Sequence, residues 1–263
     1  MVSPKVNFIS CPFNCGYPNL GTGLGSMLLS NHFKSVNYEI FDEWIPCSYR
    51  HRYQLTAAVE FKSLFEKSVK NLEFSNAVIL NGDHFSSFFS ISKALEVDPD
   101  LTLIWIDPDF DLNTPYSSPT GNLHGMTVAH LLGHGYRQLH PTNFIKNQRL
   151  YYVLSNDPDP GELSLMRKYQ FFSITPQQLL RCKISGSVYI SLDFDCIHEF
   201  EAVSRSAKAI FNFKDICEFL KRLLNQFCVR WIDFNEFNPY FDPFDKCFKM
   251  ATNLISLVTD RLR

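Results

Sequence analysis

The sequence has no long apolar run, no closely paired cysteines and almost no net charge over its 263 residues. A membrane-spanning helix needs about 20 consecutive apolar residues, and no run approaches that length. The amino-terminal segment MVSPKVNFISCPFN lacks the apolar core of a secretory signal. The eight cysteines form no CxxC pair and are too sparse for a disulfide scaffold. A net charge of −2 gives no reason to expect nucleic acid or a membrane as a partner. These absences predict a cytoplasmic enzyme or binding protein. Secretion by a route that uses no cleaved signal stays an alternative.

The order of elements predicts an α/β fold, because short apolar runs typical of buried strands alternate with segments of helical periodicity. The predicted strands are Lys5–Ser10, Tyr38–Phe41, Ser75–Leu80, Leu101–Ile106, Leu150–Leu154, Gln170–Ser173, Ser187–Leu192 and Val229–Phe234. The predicted helices are Leu55–Leu72, Ser87–Leu95, Thr127–Leu132, Gly161–Lys168, Phe213–Leu224 and Phe248–Arg261. Such alternation is typical of a parallel sheet with helices on both faces. We expect a single domain over residues 1–263, a three-layer α/β/α fold with a central parallel sheet of about eight strands.

The segment from Trp105 to Met126, WIDPDFDLNTPYSSPTGNLHGM, carries the strongest chemical signal in the chain. Asp107, Asp109 and Asp111 occupy alternate positions directly after the apolar run LTLIW. Open α/β sheets bind their ligands at the carboxyl ends of the strands. Clustered carboxylates repel one another unless something cationic lies between them, so this segment predicts a divalent metal.

Three further strands end in acidic or histidine side chains. His84 follows the strand SNAVIL within the sequence NGDH, and Asp193 and Asp195 follow VYISL. Glu236 follows the strand that ends at Phe234. Because the carboxyl ends of parallel strands share one edge of the sheet, we expect these side chains to converge with the three aspartates.

Six of these side chains form a set large enough to hold two metal ions: His84, Asp107, Asp109, Asp111, Asp193 and Asp195. Hard divalent cations such as Mn²⁺ favour carboxylate oxygens and also accept imidazole. Two ions held close together share a water molecule, lower its pKa and supply hydroxide near neutral pH. The set therefore predicts a dinuclear metal site.

These motifs resemble those of the ureohydrolase superfamily, the arginase and agmatinase group, and most closely those of arginases. The GGDH motif of that family appears as NGDH, its DAHxD as DPDFD and its SxDxD as SLDFD, and the similarity covers nearly the whole chain. The resemblance implies a first ion held by His84, Asp107, Asp111 and Asp193. It implies a second ion held by Asp107, Asp109, Asp193 and Asp195, so that two carboxylates bridge. Mn²⁺ is the expected ion, with Co²⁺, Ni²⁺ or Fe²⁺ as alternatives.

The motifs on the substrate side favour an arginase over its relatives. Arginases follow the second metal motif with NTP…SGNxHG, and this chain has NTPYSSPTGNLHG. By resemblance, the α-carboxylate of an amino acid would be bound by Asn113, Ser118, Thr120 and Asn122. His124 would shuttle protons, and Glu236 of EFNP would hold the guanidinium group. Asp159 of DPDPGE would pair with the α-ammonium group, with Glu162 beside it.

The resemblance implies hydrolysis of L-arginine to L-ornithine and urea by a metal-bridging hydroxide, with Asp111 and His124 moving protons. A homo-oligomer, either a trimer or a hexamer, is also expected, although the carboxyl-terminal tail that some arginases use in trimers is missing or short. Two alternatives stay open. One is a related ureohydrolase that acts on another guanidino or amidino substrate, such as agmatine. The other is an arginase-like pseudoenzyme that binds arginine or a partner without turnover.

The chain departs from the family pattern at several positions. Asp109 stands where the family has a histidine ligand. An aspartate oxygen and an imidazole Nδ1 are both attached to Cγ, so their reach is similar, but a fifth carboxylate makes bound water less acidic. We expect an altered metal preference or reduced activity. His198 stands where the family has a further Asp, and in the differing loop CIHEFEAVSRSAKAI either Ser204 or Ser206 could supply the hydroxyl expected near the guanidinium-binding Glu.

Overall fold

The computed structural model describes residues 6–17, 21–35, 40–41, 54–72, 74–156, 158–204 and 209–262. Its centre is one parallel sheet of eight strands, Asn7–Cys11 (β1), Ile40–Phe41 (β2), Ala77–Asn81 (β3), Thr102–Ile106 (β4), Leu150–Val153 (β5), Ser173–Ile174 (β6), Ser187–Asp193 (β7) and Cys228–Asn235 (β8). The outermost strands, β2 and β6, have only two residues each. Each predicted strand overlaps one of these, although Lys5 and residues 38–39 lie outside the described residues.

The strand order is β2-β1-β3-β8-β7-β4-β5-β6, and every neighbouring pair is parallel. Strands β1, β2 and β3 are neighbours in the sheet, whereas β4 is separated from β3 by two strand positions. The later strands β8 and β7 occupy these two positions. The four central strands are therefore β3, β8, β7 and β4. Their carboxyl ends form the crevice in which an open α/β sheet binds ligands.

Helices cover both faces of the sheet. Among the described residues the α-helices are Thr22–Ser35 (α1), Gln54–Ser68 (α2), Ser86–Val97 (α3), Thr127–Leu131 (α4), Leu163–Tyr169 (α5), Pro176–Leu179 (α6), Phe213–Gln226 (α7) and Lys246–Leu262 (α8). Apolar residues of α2 and α3 belong to one hydrophobic core, and those of α1, α7 and α8 belong to another. Successive strand residues point to opposite faces, so Ile79 of β3 lies in the first core while Val78 and Leu80 lie in the second. This arrangement confirms the predicted three-layer α/β/α class.

Two helices, α1 and α6, were not predicted. The α1 sequence TGLGSMLLSNHFKS contains two glycines and three serines, which lower helix propensity. Gly25 is needed for close packing, because a Cβ atom at this position would lie 1.9 Å from the carbonyl oxygen of Phe237. None of the described helices is long and apolar enough to cross a membrane.

Candidate metal and substrate site

The carboxyl ends of the four central strands meet around one cavity. His84 follows β3, Asp107 follows β4, Asp193 ends β7 and Glu236 follows β8. The cavity wall is formed by Tyr17, His84, Asp107, Asp109, Asp111, His124, Asp193, Asp195, Ser204 and Glu236. All six predicted metal ligands and all three predicted catalytic residues therefore line the same space.

Within this cavity, two groups of side chains are close enough to hold a metal ion. One group is His84, Asp107 and Asp111, and the other is Asp107, Asp193 and Asp195. The potential ligand atoms of each group lie within 4.8 Å of one another, and all five residues are buried. Asp107 belongs to both groups, which is the position expected of a bridging carboxylate.

Hydrogen bonds fix the ring of His84. Its Nε2 lies 3.0 Å from Ser191 Oγ, and the Ser191 hydroxyl donates to Asp233 Oδ1 at 2.7 Å. Since this hydroxyl has a single proton, its oxygen accepts from Nε2–H, and the lone pair of Nδ1 faces the cavity. The ring also stacks on Trp105, with ring centroids 4.1 Å apart. His84 is thus held in the tautomer and orientation of a metal ligand.

The carboxylates of the cluster outnumber its single imidazole, and they lie close to it. His84 Nδ1 lies 2.7 Å from Asp107 Oδ2 and 3.1 Å from Asp193 Oδ2. Burial lowers the pKa of His84, but these two carboxylates outweigh it and raise that pKa well above its usual value. Burial, reinforced by neighbouring carboxylates, raises the pKa of Asp111 and Asp195 well above the usual range. The atoms are therefore arranged around the position of a cation.

A buried carboxylate oxygen supports the same conclusion. Asp195 Oδ1 has no hydrogen-bond partner among the described residues. Buried polar atoms are nearly always satisfied by hydrogen bonds, ions or water. Divalent cations would satisfy this atom and remove the repulsion between the carboxylates, so the residues present fit bound metal.

Asp109 lies beside the second group without belonging to either group. Its backbone N–H donates to Asp107 Oδ1 at 2.7 Å, and its half-buried side chain lines the cavity. Burial and other carboxylates are the larger causes of the raised pKa of Asp111 and Asp195, and the negative charge of Asp109 also contributes. Asp109 therefore adds a further negative charge to the site.

Asp111 and Glu236 both have left-handed backbone conformations, with φ of 51° and 69°. The Asp111 carbonyl accepts hydrogen bonds from the N–H groups of Val128 and Ala129, at 3.0 and 3.2 Å. The N–H of Glu236 donates to the carbonyl of Gly82 at 2.9 Å. These bonds hold two conformations that non-glycine residues rarely adopt, and they direct both carboxylates into the cavity.

Glu236 is buried and anchored. Its Oε1 accepts a hydrogen bond from the backbone N–H of His84 at 2.9 Å. Burial, followed by repulsion from Asp193 and Asp83, raises the pKa of Glu236 well above its usual value. Ser204, one of the two predicted hydroxyls, lines the same cavity and accepts from Asn238 Nδ2 at 2.9 Å. The other candidate, Ser206, lies outside the described residues.

The residues predicted to bind the amino-acid end of a substrate lie on loops beyond the cavity wall. Asn113 Nδ2 donates to Asp159 Oδ2 at 2.9 Å, so the predicted carboxylate-binding and ammonium-binding loops are in contact. Ser118 Oγ accepts from the N–H of Gly121, at 3.0 Å. The N–H of Asn122 donates to Thr120 Oγ1, at 3.2 Å. The Asn113–Asp159 pair and the Ser118–Asn122 loop are thus each held by their own hydrogen bonds, and none of these residues is part of the cavity wall.

Glu162 holds the two loops together. Its Oε1 accepts from the N–H of Leu112 at 2.7 Å, and its Oε2 accepts from the N–H of Asp159 at 2.8 Å. Burial raises the pKa of Glu162 to about 7. Both carboxylate oxygens are thus engaged by backbone, and this geometry favours a bracing role over direct contact with a substrate.

Two residues at the site were not predicted. Gln54, the first residue of α2, accepts from the N–H of Leu123 at 3.0 Å and donates to Asn122 Oδ1 at 3.3 Å. Tyr17 lines the cavity, and its ring centroid lies 4.7 Å from that of His124. No sequence pattern indicates either residue, because both reach the site from distant parts of the chain. His198, by contrast, is exposed and is not part of the cavity wall.

Fold and site together define an α/β protein with a buried cluster of carboxylates and histidine that could bind divalent metal. The family model described as the Arginase family matches residues 5–259. The chain belongs to the Arginase family.

Individual relatives agree with this assignment. The chain is 30% identical over 209 residues to an arginase of Plasmodium falciparum, a match that covers 70% of this chain and 51% of that protein. It is 27% identical over 261 residues to an arginase of Plasmodium berghei, covering 88% of this chain and 73% of that one. The match thus spans about half the length of the first relative. These relatives agree with membership of the Arginase family.

Solved structures show the same fold. The arginase of Bacillus subtilis superposes with a TM-score of 0.81 at 20% identity, over 97% of this chain and 98% of that chain. An Entamoeba histolytica arginase in complex with L-ornithine gives a TM-score of 0.77 at 19% identity, over 98% and 97% of the two chains.

Proposed function

We propose that this protein hydrolyses the guanidinium group of L-arginine, giving L-ornithine and urea, with two divalent metal ions as cofactors. The observation that carries this proposal is the buried carboxylate of Glu236 on the wall of the cavity that contains both potential metal-binding groups. A guanidinium group stays charged at any accessible pH, and a buried carboxylate is its natural counter-charge. Membership of the Arginase family supports the same reaction.

The proposed metal ligands are His84, Asp107, Asp109, Asp111, Asp193 and Asp195. Five of these six side chains are carboxylates, a composition that favours Mn²⁺, with Co²⁺, Ni²⁺ and Fe²⁺ as alternatives. Two bound ions would lower the pKa of a water molecule and so provide a nucleophile near neutral pH.

Glu236 sets the position of the guanidinium group. Because Oε1 is held by the N–H of His84, the carboxylate keeps a fixed orientation next to the metal ligands. A substrate guanidinium group that pairs with it has its carbon directed toward the acidic cluster. Ser204, held by Asn238, supplies a hydroxyl at the same end of the cavity.

Proton transfer is assigned to His124 and Asp111. Hydrolysis leaves the hydroxyl of water on the carbon that becomes urea, and a proton must reach the departing amine of ornithine. Both side chains line the cavity. The backbone of His124 donates to the carbonyl of Gly16 at 3.2 Å, and its ring contacts Tyr17, so the imidazole is held at the cavity wall. An imidazole is suited to exchanging protons near neutral pH.

The polar loops are assigned to the amino-acid end of the substrate. The α-ammonium group would pair with Asp159, and the α-carboxylate would be bound by Asn113, Ser118, Thr120 and Asn122. The hydrogen bond between Asn113 and Asp159 brings the acceptor for the ammonium group next to a donor for the carboxylate. Agmatine lacks the carboxylate, so this pairing favours arginine. We further propose that the protein acts in the cytoplasm as a homo-oligomer, either a trimer or a hexamer.

Urea release from L-arginine tests the proposal, with purified protein loaded separately with Mn²⁺, Co²⁺, Ni²⁺ and Fe²⁺ and with agmatine assayed in parallel. Turnover of arginine well above that of agmatine is the expected result. Turnover of agmatine alone would replace arginine with the decarboxylated substrate. No turnover of either compound by fully metal-loaded protein would overturn the proposal in favour of a pseudoenzyme.

A further inference from the structure

We propose that the two metal positions are chemically unequal, and that the second position, which has only oxygen ligands, exchanges Co²⁺ for Mn²⁺ more readily than the first. This inference rests on the metal pair of the proposed function and does not depend on arginine as the substrate.

The first position contains a nitrogen ligand. His84 Nδ1 belongs to the group with Asp107 and Asp111, and the hydrogen bond from Nε2 to Ser191 directs its lone pair into that group. Imidazole nitrogen suits the later divalent transition metals, whose affinities follow the order Mn²⁺ < Fe²⁺ < Co²⁺ < Ni²⁺. The first position should therefore prefer Co²⁺ to Mn²⁺ when both are offered.

The second position has only oxygen ligands. Asp107, Asp193 and Asp195 form this group, and among the described residues no histidine or cysteine joins it. Asp195 is buried and its Oδ1 has no hydrogen-bond partner in the described part of the chain, so this atom is suited to binding a cation. Sets of carboxylate oxygens suit Mg²⁺, Ca²⁺ and Mn²⁺.

Asp109 decides this inequality. It lines the cavity, and its N–H bonds to Asp107, which both groups share. A histidine at this position would present Nδ1 at about the reach of the present carboxylate oxygen, since both atoms are attached to Cγ. The side chain at position 109 therefore determines whether the second position can have a nitrogen ligand.

Competitive metal loading tests the inference without an activity assay. Metal-free full-length protein is dialysed against mixtures of Mn²⁺ and Co²⁺ in which the excess of Mn²⁺ is raised stepwise, washed, and analysed for metal content by mass spectrometry. Because Co²⁺ generally binds nitrogen and oxygen sites more tightly than Mn²⁺, we expect an excess of Mn²⁺ at which each chain holds about one Mn²⁺ and one Co²⁺. In the same mixture, the Asp109→His variant should replace most of the Mn²⁺ with Co²⁺. Exchange of both ions over the same range of Mn²⁺ excess, or an unchanged metal ratio in Asp109→His, would overturn the inference.

Two further variants separate ligand type from charge and assign the positions. Asp109→Asn keeps an oxygen ligand but removes the charge, so it should retain Mn²⁺ at the second position. A shift to Co²⁺ as large as that in Asp109→His would contradict the role of ligand type. His84→Asn should lose Co²⁺ and keep Mn²⁺, whereas loss of Mn²⁺ alone would reverse the assignment. Glu218→Gln, an exposed change on α7, serves as the control.

These results are independent of the test of the proposed function. A protein that selects one ion of each kind but does not hydrolyse arginine would retain this inference and overturn the proposed function. A protein that hydrolyses arginine but exchanges both ions over the same range of Mn²⁺ excess would overturn this inference and retain the proposed function.

Discussion

Glu236 has two energetically unfavourable features that the surrounding structure must offset. A left-handed backbone at a non-glycine residue costs about 1–2 kcal/mol, and its φ is 69°. Its carboxylate is also buried beside other acidic groups, which is why its pKa is raised by burial and then by Asp193 and Asp83. Such costs are tolerated where the local structure is over-determined, and they are concentrated at functional sites. Asp111, which lines the same cavity, has the same kind of backbone.

Replacing Glu236 with Gln should separate substrate binding from metal binding. The amide oxygen can still accept from the N–H of His84, but the charge that pairs with guanidinium is lost. We expect kcat/KM for arginine to fall by at least about 10- to 100-fold, the loss of one charge-assisted pair, while metal content stays unchanged. Steady-state kinetics and metal analysis measure both effects, with Glu218→Gln as the control. A wild-type kcat/KM would remove Glu236 from the guanidinium site.

At the scale of single residues, the sequence predicts what lies directly after a strand. The metal ligands and Glu236 follow β3, β4, β7 and β8 within a few residues, so motif spacing and strand prediction are sufficient to find them. Residues that act through long-range contacts leave no such pattern. Ser191, which orients His84, lies 107 positions from it, and Asp233, which accepts from Ser191, lies a further 42 positions along the chain, so only the folded structure reveals these partners.

At the scale of elements, strands were predicted more completely than helices. Parallel strands buried on both faces are continuous apolar runs, and β3 and β4 are buried at every position. Helix α1 lacks a clear pattern because its glycines and serines serve tertiary contacts, such as the Ser26 hydroxyl that donates to the carbonyl of Leu80 at 2.6 Å. Tertiary packing there outweighs intrinsic helix propensity.

Helix α2 supports the proposed substrate-binding loop through its first residue. Gln54 holds the loop after β4 by two hydrogen bonds, to the N–H of Leu123 and to Asn122 Oδ1. Gln54→Ala removes both bonds, each worth about 1 kcal/mol, so KM for arginine should rise roughly 5- to 30-fold with little change in kcat. KM for agmatine, if it is turned over, should change less, because it has no carboxylate. Thr56→Ala, an exposed change on the same helix, is the control. A fall in kcat with constant KM would contradict this role.

Helix α4 contains a pH-sensitive structural contact. His130 Nδ1 donates to the carbonyl of Met126 at 2.9 Å, and Nε2 accepts from the N–H of Tyr136 at 3.1 Å, so the ring is neutral. Burial lowers the pKa of His130 to about 4. The unfolded chain, with a pKa near 6.5, therefore takes up the proton first. Stability from this contact is complete above about pH 6.5 and is lost as pH falls toward 4.

His130→Gln keeps a donor and an acceptor but does not titrate. Between pH 7.5 and pH 5 the wild type should lose about 2 kcal/mol of unfolding free energy more than this variant. Urea denaturation at the two pH values measures the difference. Parallel pH dependence in the two proteins would show that folding does not lower the pKa of His130.

At the scale of the whole molecule, the order of the sheet explains why the site and the fold depend on each other. Four strands from separate parts of the chain become adjacent at the centre, so every ligand depends on correct crossing from β3 to β4 and on the later insertion of β7 and β8. Alternation of strands and helices predicted the class of fold, but this strand order is set by packing between distant segments. The cavity lies where these segments meet. Repulsion between its carboxylates opposes the packing of the segments against one another.

Metal should therefore stabilise the folded chain, increasingly so as pH rises. Burial, followed by repulsion from nearby carboxylates, raises the pKa of Asp111 and Asp195, so the metal-free folded state holds protons that the unfolded chain, with carboxyl pKa values near 4, releases. Without metal, this contribution to stability is present at low pH and is lost as pH rises through the raised pKa values. Metal binding requires the ionised carboxylates and strengthens over the same range.

The difference in Tm between Mn²⁺-loaded and chelator-treated protein should widen from pH 5 to pH 8, as measured by scanning fluorimetry. Asp195→Asn should reduce that widening, because it removes one of the opposing charges and one ligand. A difference that is constant with pH would mean that the cluster is not ionised by metal, and the coupling between site and fold would then have to arise elsewhere.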